Sequence, residues 1–187
     1  MPPEQGTLFA LPEAGDPGRS KPLTLAQARR DLQAALDDGT TCPCCDQRAQ
    51  RYHRRLNAGM AVALIALVRV ARDSEDGWAH AAQVQRWIVG RLSAAPAHPT
   101  GELGKLVHWG LVEQRPKDDD DDTGARTSGY WRPTGLGTLF ACGKQSVPSH
   151  VKLYNGASEG LDGEWITIET ALGRRFDWTE LMAGGRP

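Results

Sequence analysis

Apolar and polar positions recur along this chain with two periods, and the local period predicts most of its elements. Leu25, Ala28, Leu32, Ala35 and Leu36 make one apolar face of a helix over 24–38. Thr24-x-x-Gln27 is a capping box that opens it, and Gly39 follows its last turn. Residues 47–72 read as one long helix whose first half is basic. Its second half, with Met60, Val62, Leu64, Ile65, Leu67 and Val68, is apolar enough to be buried. The polar stretch 73–77 is a turn, Trp78-Ala79-His80 a short strand, and 82–92 a helix with Val84, Trp87 and Ile88 inward. After a Pro/Ala loop over 93–99, Leu103, Leu106 and Val107 mark a helix over 100–109, with Thr100 as its candidate N-cap. Gly110 ends that helix, because Gly tolerates the left-handed conformation.

Two short strands follow, Leu111–Arg115 and Tyr130–Arg132. Thr134-x-x-Gly137 then starts a helix that runs to Cys142, with Thr134 at the N-cap. Residues 147–155 are predicted to be extended, 156–163 to be a loop and 165–168 a strand. Asp177-x-x-Glu180 opens a last short helix that offers Phe176, Trp178, Leu181 and Met182 for packing. The final segment is too short for a core of its own and is expected to pack on what precedes it. The expected organisation is a disordered tail (1–22) with five prolines, an N-terminal helix and Cys-rich turn (23–46), a central domain (47–142) and a C-terminal extension (143–187).

Composition narrows the function. The 187 residues are 40% apolar and carry a net charge of −1, so no global basic field attracts nucleic acid, and binding would depend on local patches. No apolar run approaches the roughly 20 residues needed to cross a bilayer. The N-terminus has Pro and Glu where a signal peptide would be basic and then apolar. A cytoplasmic protein without a membrane partner is expected. No P-loop, nucleophile elbow, metalloprotease motif or dinucleotide fingerprint is present, and the expectation is that the chain is not an enzyme.

Three of the four cysteines lie within four residues. Cys42 and Cys45 have the C-x-x-C spacing that lets two thiolates converge on a tetrahedral zinc ion. Cys44, His53, His80, His98 and Cys142 are candidates for the remaining ligands, or two chains could share one ion. The alternatives are unligated cysteines, or a Cys-Pro-x-Cys redox site, which would need a preceding strand and a βαβ pattern that the sequence lacks. On the predicted long helix, Arg48, Arg51 and Arg55 fall on one side, suited to phosphates or to a solvated face. The first helix is a packing or dimerisation element, so a homodimer is among the expected partners.

The ordered set GELGKLVHWGLVEQ, an acidic insert, then GYWRPTGLG resembles the recognition helix and wing of a winged-helix domain. With the cysteine turn ahead of it, the chain resembles winged-helix proteins of actinobacteria and their phages. The resemblance implies an α+β winged helix-turn-helix fold. It also implies duplex DNA binding, as a transcriptional regulator or a replication-associated factor. Lys105 and Arg132 join Arg48, Arg51 and Arg55 as the expected DNA contacts. The wing (116–128) departs from the family pattern, because Asp118 to Asp122 are five consecutive acids that phosphates would repel. A protein-interaction adaptor that does not touch DNA is the alternative. Within the tail, Gln5-x-x-Leu8-Phe9 resembles the peptide that bacterial replication and repair proteins insert into the sliding clamp. The bland alternative is that Leu8 and Phe9 dock on the protein's own surface.

Overall fold

The computed structural model describes residues 23–92, 99–117 and 128–183. It is a mixed α+β structure whose chain divides between Gln50 and Arg51 into two units. In the first unit, helix α1 (Leu25–Ala35) opens on the expected capping box. The Thr24 hydroxyl accepts from the Gln27 N–H at 3.3 Å, and the Thr24 N–H donates to Gln27 Oε1 at 3.0 Å. Gly39, at φ +78°, turns the chain into strand β1 (Thr40–Thr41), which pairs antiparallel with β2 (Arg48–Ala49). The cysteines occupy the connection between these two strands.

A correction falls at the boundary of the two units. The stretch 48–55, expected as the first half of a long helix, holds strand β2 in the first unit and strand β3 (Tyr52–Arg55) in the second. Helix α2 runs only from Ala58 to Arg72, because Asn57 is extended and its side chain accepts from the Met60 N–H at 3.0 Å. A cap of that kind fixes where a helix can start. The apolar half is buried as expected, with every residue from Met60 to Leu67 fully enclosed.

The next elements follow the predicted order. They are β4 (Ala79–His80), α3 (Ala81–Val89), a 3-10 turn (Pro99–Glu102), α4 (Leu103–Leu106) and a second 3-10 turn (Val107–Trp109). The cap expected at Thr100 falls inside the first 3-10 turn, and no side chain caps α4. Gly110 ends the segment at φ 67°, ψ 23°, as expected. Strands β5 (Val112–Gln114) and β6 (Tyr130–Pro133) pair antiparallel with Glu113 opposite Arg132, and β4 adds to β6, giving the sheet order β4-β6-β5.

Helix α5 (Gly135–Ala141) shows why the chain reads Thr-Gly-Leu-Gly. The Thr134 hydroxyl donates to the Gly110 carbonyl at 2.7 Å and accepts from the Gly137 N–H at 3.0 Å. The Thr134 N–H donates to the Leu111 carbonyl at 3.0 Å. A Cβ on Gly137 would lie 2.9 Å from the Leu111 carbonyl carbon and closer still to its oxygen. Only glycine therefore lets α5 sit against the strand entrance.

The C-terminal segment contains more strand than expected. Strand β7 (Val147–Tyr154) is the centre of a second sheet, β3-β7-β8. Strand β8 (Ala157–Ile166) replaces the predicted loop over 156–163, and it ends before the predicted strand does, where Thr167 caps α6 (Ile168–Leu172). Glycines made this stretch read as a loop. In the structure, Gly160 (φ +131°) and Gly163 (φ +84°) lie in β8 beside its two register shifts. Helix α7 (Trp178–Met182) starts at Asp177, whose carboxylate accepts from the Glu180 N–H at 2.8 Å. Val147, Val151, Ile168, Leu172 and Leu181 join the core built on α2. Trp109 and Trp178 each donate their indole N–H to a carbonyl, that of Pro148 at 2.8 Å and that of Ala141 at 2.9 Å. Among the described residues no helix is long and apolar enough to cross a membrane.

Candidate nucleic-acid interface

Cations are the chemistry a phosphate backbone requires, and Arg115 and Arg132 stand at the hairpin β5-β6 beside the rings of Trp78 and Tyr130. Two guanidinium groups lie over the Trp78 ring, Arg115 at 4.9 Å and Arg132 at 4.6 Å from its centroid. Each of these arginines also meets a carboxylate. Arg132 donates through Nε and Nη2 to Glu113 at 2.7 and 2.6 Å, across the strand pair. Arg115 donates to Asp76 at 2.6 Å. The Trp78 N–H, then Arg115 and Ser74, hold the Asp76 carboxyl below its ordinary pKa.

The helical segment before the hairpin offers less. Lys105 is bonded to Glu102 at 2.7 Å, and Glu102 and His108 are half-buried. Glu102 Oε2 is buried without a hydrogen-bond partner among the described residues. The residues expected to face a groove therefore present one neutralised lysine and a partly exposed Val107.

The arginines predicted to share a helical side are not on a helix. Arg48 belongs to the first unit and donates to Gln50 at 3.3 Å. Arg51 and Arg55 belong to the second. Arg51 is ion-paired with Glu159 of β8, and Arg55 stands opposite His150 of β7. By the period of two, His53 shares the Arg55 face. His53 and Lys152 flank Asp162 at 3.4 and 3.5 Å. The Gly163 N–H, then Lys152 and His53, lower the Asp162 carboxyl pKa. Trp165, opposite Pro148, is 68% exposed. Sequence reasoning missed His53, Lys152 and Trp165 as members of one sheet face. The sequence signal was partial: the structure buries alternate residues along 147–154, but Pro148, Ser149 and Tyr154 break the apolar–polar alternation that would have shown it.

The cysteine turn brings Cys42, Cys44 and Cys45 together, all unbridged. Backbone N–H groups of Cys44 and Cys45, then the Cys45 side chain, lower the Cys42 thiol pKa. Among the described residues no group of three or more His, Cys, Asp or Glu is arranged to hold a metal. Cys42 and Cys45 thus do not find, among those residues, the further ligands zinc requires. A strand does precede the cysteines, contrary to expectation, but it pairs with β2 in a hairpin. Gln5, Leu8 and Phe9, the candidate ligand His98 and the acids Asp118 to Asp122 lie outside the described residues.

Compared with known proteins, the chain matches no family model, no curated protein and no solved structure.

Proposed function

We propose that the second unit is a winged-helix domain that binds duplex DNA, in a transcriptional regulator or replication-associated factor. The observation that carries this reading is the chain order α2, β4, α3, α4, β5, β6 combined with the sheet order β4-β6-β5. In a winged helix, the segment before the hairpin enters the major groove and the hairpin touches the backbone. In this reading Lys105 and Arg132 make those contacts. Both are paired with carboxylates, so DNA must compete with Glu102 and Glu113, and few counterions are released. Affinity is therefore expected to be weak, with a salt slope equivalent to about 2–4 phosphates.

Fluorescence anisotropy with a labelled duplex at two salt concentrations tests this. Saturable binding at low salt that weakens in Lys105→Ala and Arg132→Ala supports it, and no binding at low salt removes it. The same carboxylate pairing favours a second reading, a protein-interaction adaptor. Capture of a lysate protein that persists after nuclease treatment, with no duplex binding, would select that reading.

A further inference from the structure

A cavity of about 620 Å³ opens between the C-terminal end of α2, the hairpin and α5. Its volume falls in the range of small-molecule sites. Val68, Ala71, Pro133 and Met182 give it an apolar wall, and Arg69, Arg72 and Arg132 stand at it with Asp76 and Glu113. The two carboxylates are already engaged, Asp76 by Arg115 and Glu113 by Arg132. Arg69 and Arg72 have no carboxylate partner among the described residues. They are three residues apart on α2, so they project from neighbouring turns of one face. The cavity therefore combines an apolar wall with a surplus of two guanidinium groups.

We propose that this cavity binds a small organic anion, with a carboxylate or phosphate head held by Arg69 and Arg72 and an apolar body against Val68 and Met182. Guanidinium groups bind either head in the same planar, charge-assisted way, so the shared chemistry is an oxyanion on an aliphatic body. The site borders the proposed DNA-binding surface at Arg132 but does not depend on that reading, because neither Arg69 nor Arg72 belongs to that surface.

The test uses the full chain with its three methionines labelled with ¹³C at the methyl group. Octanoate, octyl phosphate and the neutral 1-octanol are titrated separately. Saturable movement of the Met182 signal, with the buried Met60 signal unmoved, is expected for at least one anion. The anion that saturates identifies the head group, and octanol should bind more weakly. Arg69→Gln/Arg72→Gln should weaken binding by at least about tenfold, the effect of losing charge-assisted bonds. A thermal melt establishes that this variant is folded. The proposal is overturned if neither anion moves Met182 saturably, or if the folded double arginine variant titrates like the parent. A protein that binds octanoate but not duplex DNA would refute the DNA reading and leave this site standing.

Discussion

Replacing Gly137 with Ala adds one methyl group where the structure has no room. The new carbon would lie 2.9 Å from the Leu111 carbonyl carbon and 3.2 Å from its Cα, with the carbonyl oxygen nearer still. All three are backbone atoms, so no side chain can rotate away. Relief requires α5 to move from the start of the hairpin, and that movement stretches the Thr134 N–H bond to the same carbonyl. Overpacking of this kind costs about 1–3 kcal/mol. Leaving the bond unmade adds about 1–3 kcal/mol, and the better helix propensity of Ala returns at most about 1 kcal/mol. The net is a loss of about 3 kcal/mol, which in a chain of this size lowers Tm by roughly 10 °C. Gly135→Ala is the control, since the same methyl group there meets open space and should leave Tm unchanged or slightly raised. Calorimetric melts of the parent and both variants decide the matter. If Gly137→Ala melts within about 2 °C of the parent, the Thr134–Gly137 turn is not the rigid seat of α5 described above.

Three further outcomes are expected. The folded-state pKa of Asp76 is depressed, so its stabilising contribution is present above the unfolded pKa of about 4 and is lost as pH falls through the lower folded value. Asp76→Asn should therefore melt below the parent at pH 7, with the gap closing under acid; a gap independent of pH would show that the carboxylate charge does not matter. At neutral pH, Cys42 should be alkylated by iodoacetamide before Cys44 and Cys45, since its thiolate is the favoured one. Mass spectrometry reads the order, and protection that a chelator removes would instead show that the turn holds zinc. A peptide of residues 1–15 titrated against a bacterial sliding clamp should bind at about micromolar Kd or weaker, with Leu8→Ala/Phe9→Ala abolishing binding and leaving the Tm of the full chain unchanged. Absence of saturable binding would discard the clamp resemblance.

Several elements that were legible in the sequence have ends satisfied locally, although the same kind of cap at Asn57 and Thr167 did not stop α2 from being read too long or α6 from being read as strand. Thr24 with Gln27, Thr134 with Gly137 and Asp177 with Glu180 each close a hydrogen bond within three residues, so their boundaries can be read without a fold. Strands β3 and β8 lack that property. Each is held by β7, which for β3 lies about a hundred residues further along the chain, and all four β3 residues remain exposed, so no buried alternation marks it. Four long polar side chains between Tyr52 and Arg55 fit a helix as well as a strand until the partner strand is known.

The candidate site divides in the same way. The two strands of the hairpin could be read, and with them the opportunity for Glu113 to face Arg132. Neutralisation of Arg115 by Asp76 could not, because that pair spans 39 residues and two packed elements. This difference bears on function. A sequence count treats every arginine as a potential phosphate contact, whereas the structure commits Arg115, Arg132 and Lys105 to carboxylates. At the cavity, Arg69 and Arg72 have no carboxylate of this kind beside them among the described residues. They lie in a part of α2 that the sequence marks only as the end of a buried helix. An unmatched charge becomes visible only after the matched ones have been paired, so the organic-anion site could not have been read from the sequence.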